Sequence, residues 1–296
     1  MKKLSEPDIT SAIELLNNAI NRKKNIDYGT RLQAKQAYIS ARYTIYETNK
    51  NALEYVTHSN ITNDDDKKAI HTSFTSSFEK NIKNNSLKLV YEECRGYCPS
   101  CGIEKLEEVD HYMPKEHYPE FTLFPLNLIP ICPKCNRKKS DKFLDGNGKR
   151  MFINFYTDDM DNLDFLNVNI IFDPSDVKKT TTVKYTTDFA KIDDSYLRQI
   201  VAHHYDELNL IERYEDAAID EISSLESIYS NYMDANKEAD ENEVKKAAQI
   251  TVSGAENMRL KQIGNNDWKY LLFNKLLEIK YIDALIIELF QHNSKY

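Results

Sequence analysis

Two short cysteine pairs constrain this chain more than any other feature. Cys98-Pro99-Ser100-Cys101 and Cys132-Pro133-Lys134-Cys135 are both C-x-x-C turns, and thirty residues separate them. A C-x-x-C turn aims two thiolates at one ion at about 2.3 Å, and two turns complete a tetrahedral four-thiolate zinc site. One pair alone is weak evidence. The rival reading, a redox or disulfide pair, finds no other redox feature to support it. Cys94, the fifth cysteine, stands outside the pattern and reads as a small buried side chain. Six of the eight prolines fall within residues 98–145, where the apolar runs are short and no long period holds. That composition predicts a small module stapled by metal.

The flanks read differently. With only 7 glycines and 8 prolines in 296 residues, a helix-rich chain is expected rather than a loop-rich all-β one. Ile9, Ile13, Leu16 and Ile20 recur at helical steps, with Ser5 or Asp8 as possible caps. A break is expected around Asn25-Ile26-Asp27 and Gly29, then a helix through Leu32, Ala37, Ile39 and Ile45. Asn63-Asp64-Asp65-Asp66 reads as a helix start with acids at the positive end of the dipole, and Asn84-Asn85-Ser86 as a break. Residues 151–190 alternate weakly and predict two to four short strands. Residues 194–235 read as one long helix. Residues 240–292 give one or two more, broken at Gly264-Asn265-Asn266-Asp267, with Trp268 in the core. Three regions are therefore expected: helical 1–85, a module at 86–147, and a short-strand and helical region at 148–296.

Between the knuckles lies Glu108-Val109-Asp110-His111-Tyr112-Met113-Pro114-Lys115. Asn127-Leu128 follows, and Asn136-Arg137-Lys138-Lys139 comes directly after the last cysteine. In this order the stretch resembles the HNH endonucleases, or ββα-metal nucleases. Their pattern is C-x-x-C, then Asp-His with a nearby Pro, then Asn-Leu, then C-x-x-C-Asn-x-x-Lys. The resemblance covers about 50 residues. It departs from the family's letters at Asn136, which stands where a His gives the family its name; that variant is common there. The resemblance implies a fold that is mainly α with an α+β insert: a zinc-stapled ββα nuclease module flanked by helices and a few short strands.

Physical chemistry suits those residues. Asp110 offers oxygen to a hard divalent cation. His111, with an ordinary pKa of about 6.5, can take a proton from water. Asn136, expected at the start of a helix, offers an amide oxygen. The expected site gathers these three around one Mg²⁺ (or Mn²⁺), while Cys98, Cys101, Cys132 and Cys135 hold a structural zinc. The resemblance assigns these roles, implies 5′-phosphate and 3′-hydroxyl products, and gives Asn127 a supporting place that holds the loop carrying His111. Arg137, Lys138 and Lys142 are candidate phosphate contacts, with residues 138 and 142 on one helical face, or else a solvated face. Arg31, Lys35, Tyr38 and Arg42 form another stripe open to the same two readings. His117 reads as loop surface. Adjacent His203 and His204 point about 100° apart on a helix and so form no helical metal pair.

A net charge of −8 argues against nucleic-acid binding only until its distribution is considered. Residues 1–97 carry 15 basic and 12 acidic side chains, whereas residues 146–296 carry 17 and 27. The acidity sits away from the module, and global charge says little about a local site. No transmembrane span and no apolar leader are evident, so a cytoplasmic protein is expected. The function expected is metal-dependent hydrolysis of nucleic acid, most simply DNA. By analogy with the family, the chain is a bacterial restriction or antiphage effector, with a regulatory partner subunit such as an ATPase or sensor. The alternative is a zinc-dependent module that binds nucleic acid or a partner without catalysis, which needs neither Asp110 nor His111. Substrate sequence, strandedness and oligomeric state are not legible.

Overall fold

The computed structural model describes residues 2–21, 26–177 and 181–293. Helices dominate, and the strands form two separate two-stranded antiparallel sheets. By internal contacts the chain divides into two compact units, one of residues 2–160 with 199–208, the other of residues 161–198 with 209–296.

In the first unit, helical periodicity produces α1 (Ala12–Ile20), which buries Ala12, Leu15, Leu16 and Ala19. The helix starts later than the expected caps. Leu4 N–H bonds the Phe155 carbonyl at 2.8 Å, and Asp8 spends its carboxylate on the Thr10 amide at 2.8 Å. α2 spans Ile26–Thr48; the expected break at 25–27 begins at residues outside the described ones. α3 (Asp64–Ser77) starts where the acids predicted: Asn63 caps it by accepting from the Asp65 and Asp66 amides at 3.0 and 3.2 Å. The expected break at Asn84-Asn85-Ser86 lies instead within a π-helical stretch, Phe78–Ser86, leading to α4 (Lys88–Cys94).

The cationic stripe on α2 is used internally. Arg31 pairs with Asp27, Asp65 and Asp66, and Lys35 with Asp66 at 3.5 Å. Tyr38 Oη accepts from the Asn60 amide at 2.8 Å. Arg42 is buried and donates to Glu120 at 2.7 Å and to the Thr57 carbonyl at 2.6 Å. These cations are spent on carboxylates and a carbonyl of the same unit. Around the Arg42–Glu120 pair, Tyr43 stacks on Phe124 at 4.5 Å, and Tyr46 meets Phe121 edge-on at 5.0 Å. α2 therefore supplies the apolar floor for residues 112–127, which a ββα module could not bury alone.

The second unit holds a hairpin of β3 (Leu166–Ile171) and β4 (Thr182–Thr187), within the two to four strands expected. Residues 194–235 are not one helix. α6 (Ser195–Glu207) ends at Asn209, whose φ of 50° is left-handed, and α7 (Leu210–Ala235) starts afresh. α8 (Glu241–Ile263), α9 (Trp268–Glu278) and α10 (Tyr281–Asn293) follow. Asp267 caps α9 through the Tyr270 amide at 2.8 Å, and Trp268 is buried, as expected. Asn266 accepts from the Phe165 and Leu166 amides at 2.9 Å each, tying α9 to β3. No described helix is long and apolar enough to cross a membrane.

Candidate active site and zinc centre

The two cysteine knuckles are built from local geometry. Gly102, at φ 66°, turns the first knuckle so that its amide reaches the Cys98 carbonyl at 2.7 Å. Cys132 caps α5 (Pro133–Lys139), its sulfur accepting from the Cys135 amide at 3.4 Å, and Pro133 occupies the first helical position. The four sulfurs of Cys98, Cys101, Cys132 and Cys135 are buried and lie within 4.8 Å of one another. Cys101 Sγ and Cys132 Sγ are 4.0 Å apart. A tetrahedron with Zn–S of 2.3 Å needs sulfurs about 3.8 Å apart, so the set fits zinc. Hydrogen bonds from the Cys101, Cys135 and Cys98 thiols pull the Cys132 thiol down, while burial pushes the Cys98 thiol up. Cys94 lies outside the cluster, buried, with its thiol pushed up to about 12 by that burial.

Between the knuckles runs an antiparallel pair, β1 (Glu108–His111) and β2 (Leu128–Ile131), with Asp110 opposite Ile129 and His111 opposite Leu128. Strand alternation sets what each side chain meets. Glu108 and Asp110 face α5. Asn136 Nδ2 donates to Glu108 Oε2 at 2.7 Å, and Lys139 Nζ contacts both Asp110 oxygens at 3.0 Å and the His111 carbonyl at 3.1 Å. His111 leaves the other face. Its Nε2 meets the Thr122 carbonyl at 3.2 Å, and Phe74 of α3 lies edge-on to its ring at 4.9 Å. Asp110, His111 and Asn136 therefore do not gather around one point as expected. The strand's alternation separates the imidazole from the two oxygen donors.

Asn127 is fully buried. It accepts from the Met113 amide at 2.8 Å and donates to the Met113 and Phe121 carbonyls at 3.1 and 3.4 Å. It ties the start of the loop after His111 to its end. α5 begins at Pro133, so Asn136 sits inside the first turn rather than at the start. The helix stops at Ser140 (φ 52°), which removes the expected shared face of Lys138 and Lys142. Arg137 is exposed and Lys138 half-buried, while Lys142 pairs with Glu207 at 2.5 Å. His117 is exposed and stacks on His58 at 5.4 Å. His204 is buried, with Nε2 at 3.0 Å from the Ser100 carbonyl and Nδ1 at 3.4 Å from the Ile153 amide. It fastens α6 to the first knuckle, which explains why residues 199–208 join the first unit.

Burial dominates the electrostatics. It pushes the Asp110 carboxyl up, against the opposing pull of the Lys139 ammonium. It pushes His111 down to about 3, with Lys115 adding to the effect, so the imidazole is neutral near pH 7. In the neutral ring, donation from Nε2 to the Thr122 carbonyl leaves the lone pair on Nδ1. The donor set toward α5, two carboxylates and one carboxamide without sulfur or imidazole, suits a hard divalent cation. Glu108 was missed in sequence reading, although its two-residue offset from Asp110 on a strand signalled the shared face.

Lys139 now holds the charge that such a cation would neutralise. Lys139→Met is expected to leave Asp110 buried without a partner and to lower the thermal midpoint, at a cost of about 3–5 kcal/mol. Mn²⁺ should then raise the midpoint more in the variant than in the parent, as thermal melts with and without metal would read. An equal metal response in both proteins would place the cation elsewhere.

Knuckles, hairpin and helix together define an HNH domain: residues 98–142 match the HNH endonuclease family. Over 66 residues the chain is 38% identical to Protein ea31 of Escherichia phage lambda, a stretch covering 20% of this chain and 22% of that protein. Over 58 residues it is 43% identical to Septu protein PtuB of Bacillus thuringiensis, covering 20% of each. The matched stretches thus span about a fifth of either relative. No solved structure matches significantly.

Proposed function

We propose that the protein is a metal-dependent endonuclease that hydrolyses phosphodiester bonds in nucleic acid, most simply DNA. The observation that carries this reading is an imidazole at the end of β1, anchored through Nε2 to the Thr122 carbonyl, which leaves Nδ1 to take a proton from water. On the opposite face of the strand from the imidazole, Asp110, Glu108 and Asn136 would hold Mg²⁺ or Mn²⁺ through oxygen. When bound, that cation supplies charge neutralisation to the phosphate and the leaving 3′ oxygen. The protein's own residues do the rest. His111 accepts the proton of the attacking water, Asn127 keeps the His111 loop closed on itself, and the zinc knuckles hold β1 against α5. Arg137 and Lys138, for which no carboxylate partner is found among the described residues, are the phosphate contacts we favour on α5.

The biological setting we infer is a bacterial restriction or antiphage effector acting in the cytoplasm, with a regulatory partner subunit. It rests on the family resemblance and on likeness to the Septu protein PtuB. The direct test incubates the purified protein with supercoiled plasmid, linear duplex, single-stranded DNA and RNA, in Mg²⁺, Mn²⁺ or EDTA. Cutting of DNA with metal and none in EDTA is expected. Tight binding with no turnover on any substrate, with or without a co-expressed partner, would leave only the binding-module reading.

A further inference from the structure

The Nε2 bond to the Thr122 carbonyl fixes one atom of the His111 ring, not the plane of the ring. A general base must aim its lone pair at the water it deprotonates, so the plane matters as much as the anchor. A contact that bears on the plane comes from α3, which lies outside the stretch that matches the family. Phe74 meets the imidazole edge-on, with ring centroids 4.9 Å apart and planes at 63°. Aromatic pairs favour offset and T-shaped arrangements over face-to-face ones, so such a contact selects among ring orientations. Phe78, one turn further on, meets the Phe74 ring at 5.4 Å and braces it. α3 is itself held in place: Asn63 caps it, and Ala69, Ile70, Ser73 and Ser77 are buried. It packs on the short helix Pro119–Leu123, which carries Thr122. The carbonyl that anchors the imidazole and the ring that walls it therefore come from two elements packed on each other. An aliphatic side chain would fill the half-buried position 74 equally well, but only a flat ring restricts how a second ring lies against it.

We propose that Phe74 is a positioning residue of the cleavage site: its ring holds the His111 imidazole in the plane that aims Nδ1 at the attacking water. This rests on the nuclease reading of the same imidazole. It makes cleavage depend on α3, a helix that precedes the residues 98–142 matching the family.

Plasmid nicking in Mn²⁺ is compared for the parent, Phe74→Leu, Phe74→Tyr and Asn63→Ala, beside thermal melts and ¹⁵N-histidine NMR near neutral pH. Phe74→Leu keeps the position filled but loses the ring. Its kcat should fall about 10–100-fold with KM unchanged, the scale of a misaimed catalytic group. Phe74→Tyr, which keeps a ring, should cut at close to the parental rate. Asn63→Ala removes the cap and loosens α3 without touching the imidazole, so its midpoint should drop while kcat stays parental. In the parent, the His111 ring, assigned by the loss of its signals in His111→Gln, should show one protonated and one bare nitrogen. In Phe74→Leu the two signals should move toward each other as the ring leaves its anchor and the tautomers mix. Phe74→Leu cutting as fast as the parent, or keeping parental His111 signals, overturns the proposal. So does an equal loss of kcat in Asn63→Ala, which marks general loosening of α3, or in Phe74→Tyr, which shows that the ring is not what counts. A parent that cuts nothing defeats the nuclease reading separately, and the His111 signals of Phe74→Leu still decide whether Phe74 holds the imidazole.

Discussion

Replacing His111 by Ala should abolish nicking of plasmid DNA in Mg²⁺ or Mn²⁺ while the protein stays folded. The expected loss is about 10²–10⁴-fold, the usual contribution of a positioned general base. The ring cannot serve through Nε2, which the Thr122 carbonyl engages at 3.2 Å, so the reaction depends on the single lone pair at Nδ1. Asp110 lies on the opposite face and is held by Lys139, and the pairing of Asn136 with Glu108 leaves it no basic group. The fold should tolerate the change: the Thr122 carbonyl loses a partner, a cost of about 1–3 kcal/mol, and Phe74 loses its edge-on ring contact. Plasmid relaxation read on a gel, beside a circular-dichroism melt, checks both halves. A variant that cuts as fast as the parent would refute the mechanism.

Removing the zinc should be more damaging to the fold than any other single change. Replacing Cys98 or Cys135 by Ser breaks a closed four-sulfur set. Structural zinc contributes apparent binding energies of about 10–16 kcal/mol in small units, where binding is coupled to folding. A whole domain's stability is only about 5–15 kcal/mol, so the loss cannot be absorbed locally. The damage should spread, because residues 112–127 are packed on α2 through Tyr43, Tyr46, Phe121 and Phe124. Elemental analysis should find one tightly bound zinc per chain in the parent and none in these variants, with a collapsed melting transition. Cys94→Ser is the control: its sulfur lies outside the cluster, and the variant should keep its zinc. A folded parent without tightly bound zinc would refute the assignment.

The histidines and cations show where sequence reading reached its limit. His204 looked like one of two unremarkable helical histidines, yet it bridges the first knuckle and the Ile153 backbone. Arg42 looked like part of an exposed stripe, yet it is buried against Glu120, 78 residues away. A helical period records which face a residue occupies. It does not say whether that face meets water or a carboxylate from a distant loop.

What the sequence determined by itself is local. Spacing alone places four sulfurs in two turns, and the family resemblance implies a ββα module that carries Asp110, His111 and Asn136, because each depends on neighbours within a few residues. Only the tertiary structure decided the rest. It turned His111 toward α3 and Asp110 toward Lys139, and joined residues 199–208 to the unit that carries the knuckles. Those outcomes depend on side-chain packing between elements far apart in the chain, where burial and partner charge, not periodicity, select the contact.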